Sequence, residues 1–234
     1  VPDLPALKQK LSFVGDIDAS AKAAALNNLM AKIGETTAAG AVSVGLEGGP
    51  KIDLALDVNR VNMDTWLQPA AATTASSSGN GQKSGTETAE KAAPFAIPAD
   101  VSGTAALTIS GITWKGSAIR QVQASASVAD GIVNIEKIAA HLPGGANVDL
   151  VGNVSAQNNL PRFEGAVRAS ADNLRAFMAW VGADTTSVPM DRLRSSSLSA
   201  TVRATPKLAE IYGIDLRLDS TRLTGGAAYA FRKR

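Results

Sequence analysis

The chain has 234 residues, a net charge of +2 and no cysteine. Without thiols it has neither a disulfide framework nor a thiolate metal site, and its basic residues are scattered rather than gathered into the patch that nucleic acid would need. Apolar residues make up 45% and aromatics only 4%, which is too apolar for a chain disordered throughout and makes any apolar surface aliphatic. No run reaches the roughly 18 apolar residues of a membrane-crossing helix.

From the N-terminus, apolar and polar residues alternate at period two, the signature of half-buried strands. The chain opens "VPDLPALKQKLSF" without an initiator Met and reads as an internal or C-terminal piece of a longer protein. "FVGDIDAS" puts Phe13, Gly15, Ile17 and Ala19 on one face. "SAKAAALNNLMAKIG" departs from alternation: Leu26, Leu29, Met30 and Ile33 have helical spacing, with Ser20 as N-cap and Gly34 as the terminating residue. Alternation resumes with Val42, Val44 and Leu46, and in "KIDLALDVNR" with Ile52, Leu54, Leu56 and Val58. Residues 69–96 are Ala/Ser/Thr/Gly-rich with almost no large apolar side chain, a composition that reads as a disordered linker.

Beyond it come Leu107 and Ile109, then Val122 and Val128, then "IVNIEKI", then Val148 and Leu150. "RFEGAVRAS" and "SLSATVRA" alternate too, and "GIDLRLDSTR" supplies Leu216 and Leu218. A second helix is expected near 172–181, capped by Ser170 or Asp172 and ended by Gly182. Asp130-Gly131 is a hairpin signal, and Gly48-Gly49-Pro50, Gly144-Gly145 and Gly225-Gly226 read as turns. About eleven short strands at close spacing imply a mainly β fold: an extended, curved, antiparallel sheet with two short amphipathic helices. The segments 1–68 (helix near 20–33) and 97–234 (helix near 172–181) flank the linker.

Two stretches look like copies of one unit. "FVGDIDASAKAAALNNLMAKIG" and "FEGAVRASADNLRAFMAWVG" share Phe-x-Gly-x-(Ile/Val)-x-Ala-Ser-Ala, and each is followed at a distance by an Ile-Asp-Leu-x-Leu-Asp strand. The expected order is strand, helix, strands, matched strand in both, as in a repeat architecture whose modules prolong one apolar surface.

The strand "LALDVNRVNMDTWLQP" ahead of an Ala-rich insert, the stretch from Ile97 to Val154 with its Asp-Gly and Gly-Gly turns, and "FEGAVRASADNLRAFMAWVG" together resemble the AsmA family of bacterial envelope proteins. The motifs are degenerate strand patterns, and their order carries the resemblance. It implies a long curved β-sheet with an apolar trough, a periplasmic location, an inner-membrane anchor through a transmembrane helix outside this piece, and support of outer-membrane biogenesis by holding or conducting phospholipid. The groove candidates are Val42, Val44, Leu46, Ile52, Leu54, Leu56, Val58, Leu107, Ile109, Val122, Val128, Val148, Leu150, Leu216 and Leu218. Partners would be phospholipid acyl chains and envelope proteins. The alternative is a structural or adhesive β-repeat protein with the same residues in a closed core.

Enzymatic chemistry is not expected, and neither is a cofactor or a metal. His141 is the only histidine, too few for a His/carboxylate metal site, and is expected in a solvated turn. There is no Gly-x-Ser-x-Gly elbow. Asp53 and Asp57, and Asp215 and Asp219, fall on the polar face of their strands rather than in a facing pair. Ser76–Ser78 and Ser195–Ser197 lack a base, Trp66, Trp114 and Trp180 read as packing anchors, and the terminal "FRKR" is too short to make a patch.

Overall fold

The computed structural model describes residues 10–66 and 95–231. Their strands are β1 (Leu11–Ala19), β2 (Ala23–Ile33), β3 (Thr36–Gly45), β4 (Lys51–Asn62), β5 (Ser102–Trp114), β6 (Ser117–Ala129), β7 (Ile132–Leu142), β8 (Ala146–Gln157), β9 (Leu160–Ala171), β10 (Ser196–Ala204), β11 (Leu208–Leu218) and β12 (Thr221–Ala230). Two helices join them, α1 (Met63–Trp66) after β4 and α2 (Leu174–Val181) after β9. All twelve strands form one sheet in chain order, with β1 and β12 at its edges among the described residues. Every ladder is antiparallel except β4–β5, which is parallel. The architecture is therefore the mainly β, mostly antiparallel extended sheet expected from the alternation, and the described strands do not close into a barrel. The segments before and after the linker belong to one continuous sheet, joined at the parallel pair.

The expected linker at 69–96 lies outside the described residues except for Phe95 and Ala96; Phe95 donates its backbone N–H to the Asn159 carbonyl at 3.0 Å. Ser76–Ser78 and all but the Phe231 of the terminal "FRKR" also lie outside them.

The helix expected near 20–33 is corrected: Ala23–Ile33 is strand β2. The register against β3 slips between Leu26 and Leu29, with Asn28 at a φ of 51°. This is a β-bulge, an extra residue that re-phases the side chains. It brings Ala24, Leu26, Leu29, Ala31 and Ile33 to one face. A three-residue step between apolar residues is also what a helix shows, so this pattern satisfied both readings. Ser20 caps the β1–β2 turn instead, its hydroxyl accepting from the Ala23 N–H at 3.1 Å.

The same step recurs. In β7 it lies between Ile135 and Ile138, in β11 between Ile211 and Ile214, and in β6 the slip between Arg120 and Gln123 puts Ile119 and Val122 on one face, with Gln121 at a φ of 50°.

The two Phe-x-Gly stretches accordingly differ in fold. β1 and β9 correspond, as do β3 with β10 and β4 with β11, but the element between is strand β2 in the first and helix α2 in the second. The identical helix expected in both copies is present only in the second. Its N-cap is Asn173, whose side chain accepts from the Ala176 N–H, rather than Ser170 or Asp172; its C-cap is Gly182 in the left-handed conformation. Asp130-Gly131, at φ of 52° and 71°, makes the β6–β7 turn as its sequence requires. Gly225-Gly226 makes no turn and lies inside β12.

The sheet is a single layer. Only Ile119, Ala146, Ala171 and Ala200 are buried apolar residues among those described.

Candidate functional site

Directly opposed residues in neighbouring strands share a face of the sheet, so the register can be followed across the molecule. One row runs Ile17, Leu26, Val42, Leu54, Ala105, Ala126, Ile135, Gly152, Gly165, Val202, Ile211, Ala227, one residue from each of the twelve strands and every one apolar. A second runs Leu56, Leu107, Ala124, Ile138, Leu150, Val167, Ala200. A third runs Ala140, Val148, Ala169, Leu198, Leu216, Leu223.

Shifting by one residue reverses the chemistry. Asp53, Thr104, Ser127, Asn134, Asn153, Glu164, Arg203 and Glu210 are successive partners on the other face.

The sequence-derived groove residues fall on the apolar face. Val42, Val44, Ile52, Leu54, Leu56 and Val58 cover it on β3 and β4; Leu107, Ile109, Val122 and Val128 on β5 and β6; Val148 and Leu150 on β8; Leu216 and Leu218 on β11. Leu46 lies just past the end of β3, 59% exposed, its N–H donated to the Lys22 carbonyl. Sequence reading missed the residues on the far side of the bulges, among them Ile112, Ile119, Ile138 and Ile211. The signal was present: Ile-x-x-Ile or Leu-x-x-Leu inside an otherwise alternating run.

Large apolar side chains stay open to solvent on this face: Phe13 is 56% exposed, Ile17 78%, Ile52 46% and Leu223 52%. The cover that exists is α2, which crosses strand ends on the apolar side. Leu174 and Phe177 stand over Val148, Ala169, Leu198 and Leu216, enclosing a recess of about 300 Å³. Trp180 donates its indole N–H to the Trp114 carbonyl at 3.2 Å, and the two rings meet edge to face at 5.5 Å.

The polar face is held by cross-strand charge. Glu164 accepts from Arg162 and Arg203 at 2.8 and 3.0 Å; the hydrogen bond from Arg203 is the main reason its carboxyl titrates below the ordinary range. Asp215 is lowered chiefly by its hydrogen bond with Arg222, and Asp53 by the Thr104 hydroxyl and then Lys51. Asp219 sits in the β11–β12 turn; partial desolvation pushes its carboxyl up, but the N–H groups of Ser195, Arg194 and Leu193 together bring it below the ordinary value.

His141 lies within β7 rather than in a turn, its ring paired with the Asn147 side chain on the polar face. With Arg120, Gln121, Gln123, Asn147 and Asp172 it lines a recess of about 890 Å³. Among the described residues no group of three or more His or carboxylate side chains is placed to hold a metal, and no helix is long and apolar enough to cross a membrane.

No family model matches the chain, and no curated protein or solved structure is similar to it.

Proposed function

We propose that this chain is a segment of a periplasmic, AsmA-like envelope protein that supports outer-membrane biogenesis by holding or conducting phospholipid acyl chains along the apolar face of its sheet, without catalysing a reaction. The parent protein is anchored in the inner membrane and works with other envelope proteins. The observation that carries this reading is the unbroken apolar row from Ile17 to Ala227, which no second layer covers among the described residues. A soluble monomer exposes contiguous apolar patches of only a few hundred Å², and larger ones mark surfaces that meet another apolar body. Each acyl CH₂ withdrawn from water onto such a face contributes roughly 0.8 kcal/mol, while the headgroup keeps its hydration at the rim. Against the alternative of a closed β core stands the lack of an opposing layer among the described residues, where β1 and β12 each pair on one side only.

The test is photo-crosslinking in cells. A photoreactive residue at Leu54 or Leu56 is expected to capture phospholipid, and one at Asp53 or Asp57, on the opposite face, is expected not to. Absence of lipid at all four positions would overturn the reading.

A further inference from the structure

The apolar face has an open part and a roofed part, and the roof is built independently of whatever lies beneath it. At its N-terminal end Asp172 and Asn173 donate their backbone N–H groups to the Gly145 and Gly144 carbonyls of the β7–β8 turn, at 3.4 and 2.9 Å. At its other end Trp180 is fixed on Trp114. The chain leaving α2 folds around the Arg175 guanidinium, which donates to the carbonyls of Thr185, Val188, Pro189 and Arg192. Asp219 then ties down residues 193–195 by accepting three backbone N–H groups. The helix is thus held above the sheet by polar contacts around its margin.

Beneath it the lining is mostly aliphatic and aromatic. Leu174 and Phe177 form the ceiling and Val148, Ala169, Leu198 and Leu216 the floor; Asn147, Ser170 and Ser196 also border the space of about 300 Å³, and no charged side chain does. Alanine at 169, where neighbouring positions carry Val or Leu, leaves the floor low. A water takes about 30 Å³ and needs two to four polar partners, and apolar cavities lacking them stay dry and admit hydrocarbon. The floor continues into the open face along the row Ala140, Val148, Ala169, Leu198, Leu216, Leu223. A ligand must therefore be slender enough to pass along that row and apolar over the whole part that enters.

We propose that the compartment under α2 is a binding subsite for the methyl end of a linear acyl chain. The open face would hold the rest of the chain, so the lipid is bound with a fixed polarity. This rests on the reading of the apolar face given above.

The probe is a fatty acid carrying a nitroxide at its terminal carbon, titrated against the full chain while tryptophan emission is followed. Trp180 stands 5.9 Å from Phe177, so it reports on the compartment. Saturable quenching by the terminal label is expected, with little from the same acid labelled beside its carboxyl. Filling the floor with Ala169→Phe is expected to weaken the terminal-label titration about tenfold, the equivalent of displacing about two methylenes, while lipid crosslinking at Leu54 persists. Equal quenching by the two labels overturns the subsite, and it does so on the wild-type chain alone even should Ala169→Phe fail to fold. Unchanged quenching in Ala169→Phe with a raised melting temperature also overturns it, identifying the space as a packing void. In either case crosslinking at Leu54 leaves the apolar-face reading standing; loss of both binding and crosslinking removes that reading as well.

Discussion

Gly165 and Gly152 face each other across β8 and β9, and the Phe163 ring lies against both. A Cβ on Gly165 would stand 2.3 Å from the Val151 carbonyl oxygen and 2.6 Å from the Phe163 ring. The backbones meet there as closely as they do because neither residue has a side chain. Gly165→Ala is expected to cost about 1–3 kcal/mol through overpacking, read as a lower urea midpoint with unchanged slope. Glu164 offers a pH test. Its folded pKa lies below the unfolded value of about 4.3 because of Arg203 and Arg162, so its contribution is full above that value and is lost as pH falls through the lower folded one. The melting-temperature gap between wild type and Glu164→Gln is expected at neutral pH and closes in acid; a gap that persists unchanged at low pH would show that the pair contributes through something other than charge. The Phe-x-Gly spacing was visible in the sequence. The second glycine that makes it meaningful is on another strand, and only the register brings Gly152 opposite Gly165.

At the scale of the element, the bulges decide which side chains reach the apolar face. Glu136 is the extra residue of β7: Ala126 pairs with Ile135 and Ser125 with Lys137, leaving Glu136 unopposed. Deleting Glu136 removes the extra residue and leaves Ile135, Ile138, Ala140 and Leu142 in strict alternation on the same apolar face, so the variant is expected to melt close to wild type. A broadened or absent thermal transition would mean that the bulge is needed for more than phase, through the twist it gives the strand. Helix α2 depends on its cap, and Asn173→Ala is expected to cost about 1 kcal/mol, with faster amide exchange confined to residues 174–181. The sequence placed α2 correctly because its apolar spacing, polar entry and Gly182 exit agree with one another. It misplaced β2 because Leu26-x-x-Leu29 fits a bulged strand as well as a helix turn, and pairing with β1 and β3 on both sides settles the conformation.

For the whole molecule the consequence of a single layer is a large apolar surface that water meets directly. The native protein is expected to bind the dye ANS at neutral pH with its near-ultraviolet CD intact, which separates a folded open face from a molten state. If the face takes acyl chains, micelles or fatty acid raise the melting temperature by mass action, about 2.7 kcal/mol at a hundredfold excess over Kd. No shift with any acyl ligand would count against the proposed function. The parallel β4–β5 pair is the one place where consecutive strands run the same way. Its connection has to carry the chain back along the length of the sheet, which a hairpin cannot do. The Ala/Ser/Thr/Gly-rich segment lies within that connection, between neighbouring strands of one sheet.

What the sequence determined by itself is the chemistry of the two faces. Period-two alternation assigns each side chain to a face as soon as its segment is extended, and this needs no knowledge of the neighbours. Thus Val42, Leu54, Leu107, Leu150 and Leu216 could be grouped without a structure, and so could Asp53, Asp57 and Asp215 opposite them. Tertiary structure decided how strands far apart in the chain join those faces into one, where bulges carry the apolar row past a slip in phase, and that the sheet stays open with α2 covering only part of it. Those outcomes depend on register, a relation between strands whose hydrogen-bonding groups are the same at every residue. A single strand carries no mark of which partner, or which offset, satisfies them.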